Sequence, residues 1–350
     1  MVSVANPTII KNLGRTETSF YLNWNGSFEN FDSILAEINC LPNDYPNEPL
    51  ERKSWRFVFT HMDFYRNPLQ SSNIHHPLVL LNSLGYGQCD DLATLLYFIW
   101  KKQGFNARIW GLGKHVVPEV FSDGKWKMYD PAFRIYYTNK LGQPASVQEL
   151  VTDNSLILSP LNKISIKEHN NLSTGIMDSL RYSMSVCKHY LSDSSHFENT
   201  SYYQTNQVSE FKIQLPKGCR IVLPVYKPTI LTQPDWLDKN RDNHYYLKLE
   251  VPANTNGTIK LPLILTCVEG DIQLKSSANN NRSYNFSRGT FNQLEIIDTA
   301  LTITSATQNS CLYYKLPERF KNQMALSVTL PLSYSSDVYI TNVKSNPRYE

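Results

Sequence analysis

Across residues 89–130 the apolar residues change their spacing once, and that change limits the fold more than any other feature of the chain. In CDDLATLLYFIWKKQG, Leu92, Leu95, Leu96, Ile99 and Trp100 recur at i, i+3, i+4, i+7 and i+8, which predicts an amphipathic helix starting at Cys89. Lys101 and Lys102 fall in its last turn, and Gly104 stands at the expected stop. The period then becomes two. NARIWGL (106–112), HVVPEVF (115–121) and WKMYD (126–130) read as strands, with SDGK (122–125) as a turn. A helix followed directly by an antiparallel meander hides its apolar stripe by packing on one face of that sheet.

Upstream, ENFDSILAEIN (29–39) places Phe31, Ile34, Leu35 and Ile38 at helical spacing, and ERKSWRFVFTHMDFY (51–65) continues that pattern after a Pro-rich connection at 42–49. Downstream, residues 151–200 are rich in Asn and Ser, with one helix predicted near 174–190. From about 205, FKIQL, CRIVLPVY, YYLKLEVP, TIKLPLILTC, NQLEIID, ALTITSA, LYYKL and MALSVTLPL are separated by turn residues, the pattern of an all-β sandwich. The expected fold class is therefore α+β. The 350 residues suit about two domains: a first over 1–160 (core 30–150), a linker with a helix over 161–204, and a β-sandwich over 205–350.

With 34 Lys+Arg against 31 Asp+Glu and no long basic run, the formal charge of +3 argues against nucleic acid as a partner. The six cysteines, Cys40, Cys89, Cys187, Cys219, Cys267 and Cys311, show no CxxC and no paired ligand spacing, so no structural zinc site is expected. The opening residues MVSVANPTIIKNLGR lack the basic and apolar regions of a secretory signal, and no stretch approaches ~18 apolar residues. A cytoplasmic protein with reduced thiols and no membrane partner is the expectation. The N-x-S/T triplets at Asn171, Asn199, Asn256 and Asn285 are of the kind that arises by chance in an Asn- and Ser-rich chain.

Three residues lie where elements begin or end: Cys89 opens the long helix, His115 opens a strand, and Asp130 closes the next strand just before Pro131. A thiol at a helix N-terminus faces unpaired N–H groups and the positive end of the macrodipole, both of which favour thiolate. If strands 115–121 and 126–130 pair around the 122–125 turn, His115 and Asp130 meet at the open end of the hairpin. The aspartate then holds one imidazole nitrogen and leaves the other for the sulfur, a Cys-His-Asp acyl-transfer arrangement in which the Cys89 N–H supplies part of an oxyanion hole. Taken singly, each residue has an ordinary reading: a free Cys is most often a small buried hydrophobe, and Asp before Pro is a common turn element. Cys40, Cys187, Cys219, Cys267 and Cys311 keep that structural reading. Asp90 and Asp91 complement the helix dipole, although negative charge beside a thiol disfavours its ionisation.

The run from Gly85 to Phe133 resembles the core of the transglutaminase-like superfamily. Its elements stand in order: Gly-x-Cys at Gly87 and Cys89; the step Gly104, Phe105, Asn106, Ala107, Arg108; His115 with Glu119 four positions on; and Trp126 before Asp130 and Pro131. The resemblance, which is to bacterial-type cysteine peptidase members, implies a papain/transglutaminase-like core with a helix packed on an antiparallel sheet. It implies Cys89 as nucleophile, His115 as general base and acid, Asp130 as the group orienting the imidazole, and Arg108, Glu119 and Trp126 as framework. It also implies a protein or peptide amide as substrate and no metal or cofactor. The chain departs from the animal enzymes at Asp90, where they carry Trp after the Cys, and has Val117 and Pro118 where many members carry Trp two residues after the His. Hydrolysis is therefore favoured over cross-linking. Trp55 is the indole weighed for the oxyanion hole, against core packing in its helix. The alternative function is an inert scaffold whose β-sandwich binds a protein or glycan through tyrosines such as Tyr245, Tyr246, Tyr313 and Tyr314.

Overall fold

In a computed structural model, the protein is a mixed α+β chain with antiparallel sheets. The structure describes residues 8–24, 28–64, 77–112, 115–153, 155–158, 196–197, 212–226, 245–276, 282–287, 292–296, 300–316, 326–330, 338–340 and 348–349. Among these no helix is long and apolar enough to cross a membrane.

The predicted period change is present. Cys89–Lys102 is a helix whose Leu92, Leu95, Leu96, Ile99 and Trp100 are all fully buried. It stops at Gly104, whose φ of +87° lies in the left-handed region that a side chain resists. The strands Asn106–Gly111, Val116–Ser122 and Lys125–Met128 follow as an antiparallel meander. The second hairpin closes through Asp123 (φ +50°) and Gly124 (φ +76°), a two-residue loop whose twist matches its strands. Alternation along Asn106–Gly111 sends Ala107 and Ile109 into the core beneath the helix, and Arg108 and Trp110 to the opposite face.

On that opposite face Glu119, fully buried, accepts bonds from Arg108 Nε at 2.7 Å and Trp110 Nε1 at 2.6 Å, while its other oxygen takes the Val147 N–H. The Arg108 guanidinium lies 4.0 Å over the Trp126 ring. One carboxylate thus ties two strands to the following Val147–Thr152 helix.

Two further helices cover the Cys89 helix. Phe31–Cys40 starts with a reciprocal cap, Asn30 Oδ1 accepting the Ser33 N–H at 2.9 Å and Ser33 Oγ accepting the Asn30 N–H at 3.2 Å. Leu50–His61 follows. The expected helix over 51–65 ends at His61, because Asp63–Phe64 turns extended and pairs in parallel with Tyr86–Gly87. Tertiary pairing overrides local periodicity there.

Strands of the C-terminal half, joined by one N-terminal strand in each case, form a seven-stranded and an eight-stranded sheet among the described residues. Their inward residues, including Ile221, Leu249 and Leu312 from one and Ile213, Leu274 and Ile303 from the other, make one buried cluster. The expected boundary of the first domain needs correction. Thr8–Asn12 pairs with Arg220–Tyr226, and Thr18–Trp24 pairs with Lys212–Leu215, so these N-terminal strands lie within the C-terminal sheets rather than in a 1–160 unit. TIKLPLILTC, read as a single strand, is two: Gly257–Lys260 joins the eight-stranded sheet and Leu265–Glu269 the seven-stranded one. Pro262, which has no N–H to donate to a ladder, sits between them where the chain changes sheets. The helix predicted near 174–190, and all of the 161–204 linker except His196–Phe197, lie outside the described residues; His196–Phe197 pairs with Ile109 and Trp110.

Because Glu119 is a buried charge shared by three donors, Glu119→Ala strands Arg108 and two other N–H groups. Urea unfolding should show a loss of about 3–5 kcal/mol. A loss below about 1 kcal/mol, the scale of exposed pairs, would contradict this role.

Candidate active site

The candidate nucleophile sits at a deliberately irregular entry to its helix. Leu80–Leu84 is a π-helical turn, closed by the Gly85 N–H on Leu80 O at 2.8 Å. Gly85 is left-handed at φ +68°. A Cβ on Gly87 would sit 2.7 Å from the Asp91 Cβ, so only glycine lets the helix start pack this closely. The Asp91 Oδ2 accepts the Gln88 N–H at 2.9 Å, which spends that carboxylate on capping the helix. Cys89 follows, partly exposed, with the first turn of the helix behind it.

Asp130 is the most constrained of the three predicted residues. Its backbone N–H and C=O both pair with Ile135, at 2.8 and 3.0 Å, closing a tight loop after the Lys125–Met128 strand. The Trp55 indole N–H donates to the same carbonyl at 2.9 Å. Its Oδ1 accepts the N–H groups of Ala132 and Phe133 at 2.9 and 3.1 Å, and its Oδ2 lies 2.7 Å from His115 Nε2. Asp130 is 2% exposed and His115 6%.

His115 is therefore held by Nε2, which leaves Nδ1 as its other ring nitrogen, and Cys89 lies close enough to favour the protonated imidazole. Burial disfavours the imidazolium, but the neighbouring Asp130 carboxylate and Cys89 outweigh it and push the His115 pKa up to about 10. The Phe133 ring packs 4.4 Å from the imidazole, and Phe64 packs on Phe133 at 5.1 Å. All three predicted residues thus meet.

Trp55 does not serve an oxyanion hole: it is fully buried in the core and its N–H is committed to the Asp130 carbonyl. Burial pushes the thiols of Cys219 and Cys267 up to about 12, in keeping with their structural reading. Cys187 lies outside the described residues. Phe133 escaped the sequence reading; its only signal was an aromatic residue three positions after Asp130. A cleft of about 540 Å³, bordered by Arg108, Trp126, Lys125 and Glu149, opens on the face of the meander away from the Cys89 helix and does not border the three residues. Among the described residues no group of three or more His, Cys, Asp or Glu side chains is set to hold a metal ion.

An unfolded histidine releases its proton near ~6.5, whereas folded His115 keeps it to about 10. The stability this proton contributes is complete below ~6.5 and is lost as pH rises through about 10. Urea unfolding of the protein and of His115→Gln across that range should show the native lead shrinking with rising pH; a lead that stays constant would contradict the assignment. Comparison with protein-family models finds no match for this chain, and none of the curated proteins matches it.

Proposed function

We propose that this protein is a cysteine-dependent acyl-transfer enzyme with a papain/transglutaminase-like core, joined to a β-sandwich made by its two large sheets. The observation that carries the reading is the His115 ring, set 2.7 Å from Asp130 on one nitrogen, with Cys89 near enough to favour its protonated form. The ordered motifs from Gly87 to Pro131 support the same reading through their resemblance to the transglutaminase-like superfamily.

The Cys89 sulfur, as a thiolate whose proton His115 holds, attacks the carbonyl carbon of an amide, forming a C–S bond as the carbonyl electrons move to oxygen. His115 gives its proton to the departing nitrogen as the C–N bond breaks, leaving a thioester on Cys89. A water molecule then loses a proton to His115 as it attacks the thioester. The C–S bond breaks and the acyl group leaves as a carboxylic acid. Asp130 orients the ring throughout and steadies it whenever it is an imidazolium, and its three accepted hydrogen bonds to Oδ1 and Oδ2 leave it little freedom to turn away. Water is preferred to an amine as acceptor because Asp90 follows the nucleophile where the cross-linking enzymes carry Trp. The substrate is a peptide or protein amide, and the compartment is the cytoplasm.

Incubating the protein with a peptide library, with and without a primary amine, and reading products by mass spectrometry tests both steps. Acid products and a Cys89-linked thioester are expected, with His115→Ala lowering turnover about 10²–10⁴-fold. Absence of any Cys89 adduct, with Cys89 alkylated by iodoacetamide no faster at pH 6 than an ordinary thiol, would sink the enzyme and favour the inert scaffold.

A further inference from the structure

The segment that presents Cys89 is held from outside its own domain. Within the π-helical turn, Asn82 and Ser83 are both fully buried polar residues. Asn82 bonds Phe28 in both directions at 2.8 Å, which fixes one side of the turn to the N-terminal unit. Ser83 faces the other way. Its Oγ donates to Lys315 O at 2.8 Å and accepts the Ile264 N–H at 3.1 Å. Lys315 N donates to Ile264 O at 2.9 Å, so the two partners of Ser83 are themselves tied together.

Those partners belong to the seven-stranded sheet: Lys315 lies in Ser310–Leu316, and Ile264 directly precedes Leu265–Glu269. Ile264 buries its side chain in the core beneath the Cys89 helix rather than in the core of its own sheets. The Lys315 side chain reaches further along the same segment. Its Nζ donates to the Tyr86 hydroxyl at 2.8 Å and lies 4.9 Å from the centre of that ring, and Lys315 is 6% exposed. Tyr86 in turn sits in the short Tyr86–Gly87 strand, three residues before the sulfur. Placing an ammonium in so enclosed a position is costly unless a specific partner holds it. A device of that cost at the entry to the nucleophile helix points to a role in geometry, and π-turns are themselves frequent at functional sites.

We propose that the C-terminal sheets are a working part of the thiol site, with Lys315 and Ser83 as positioning residues. They hold Tyr86–Gln88 in the one arrangement that delivers Cys89 to His115. The proposal rests on the Cys-His-Asp reading of the site. It assigns the β-rich half a purpose other than recognition of a partner: without it the π-turn loses one of its two anchors, and the sulfur is no longer held at the imidazole. A 1 Å displacement at such a site costs on the order of 10²-fold in rate.

The test measures iodoacetamide alkylation of Cys89 at pH 6 in Lys315→Met, which keeps the apolar stem, in Tyr86→Phe, and in the double variant. Leu312→Ala, in the same strand but facing the sheets' own core, serves as a stability control. Each single change should slow alkylation at least five-fold, the double variant should be no slower than the slower single, and Leu312→Ala should lower thermal stability while leaving the rate unchanged. Native rates in Lys315→Met and Tyr86→Phe, or equal slowing by Leu312→Ala, would overturn the proposal. If Lys315→Met does not fold, Tyr86→Phe alone decides. His115→Ala is measured alongside: slow alkylation there with native rates in Tyr86→Phe rejects the positioning role and keeps the triad, whereas a native rate in His115→Ala rejects the triad and the positioning role with it.

Discussion

The hydrogen bond between Asp130 Oδ2 and His115 Nε2 is the contact on which the site's geometry turns. It forms because a tight loop, closed by Asp130 and Ile135 in both directions, aims the carboxylate back across the open end of the hairpin. The other carboxylate oxygen is occupied by Ala132 and Phe133, so the carboxylate is held in place by the protein itself. Trp55 contributes at one remove: by donating to the Asp130 carbonyl it joins the Leu50–His61 helix to the loop, and its ring packs 5.7 Å from that of Tyr129 at a 40° tilt. Preorganisation of this kind is what lets a buried imidazole stay protonated against the cost of its own desolvation.

Cys89 is delivered to that imidazole by a segment with little regular structure of its own. A π-turn, a left-handed glycine and a two-residue strand precede it, and each needs support from elsewhere. Phe28 and Asp63 supply it from the N-terminal unit, and Ile264 and Lys315 from the sheets. The two halves of the chain are interlocked in a second way. Thr8–Asn12 and Thr18–Trp24 leave the N-terminus to complete the C-terminal sheets, so the chain closes on both ends of the thiol domain.

Local features were legible in the sequence, and long-range ones were not. The Cys89 helix, its stop at Gly104 and the meander that follows are dictated by spacing within a few residues, and they stand where the pattern put them. The meeting of His115 and Asp130 could be read because a single hairpin register connects them. Tethers such as Ser83 to Lys315 span 232 residues, and no local pattern marks either partner. The same holds for the N-terminal strands, whose ladder partners lie roughly 200 and more than roughly 300 residues away along the chain. TIKLPLILTC misled for a different reason: an unbroken apolar run does not show that its two halves belong to different sheets, and Pro262 was the one local sign of the switch. Glu119 was legible as framework, but its three donors, one of them on a separate helix, required coordinates.

The proposed chemistry requires Cys89, His115 and Asp130 to share protons as one unit. Nitrogen-15 NMR of the His115 ring reads this directly, in the native protein and in Cys89→Ala, across pH 5 to 11. The predicted result is an imidazolium that persists toward about 10 in the native protein and releases its proton at lower pH once the sulfur is removed. A ring that titrates near ~6.5 in both proteins, like a free histidine, would contradict it.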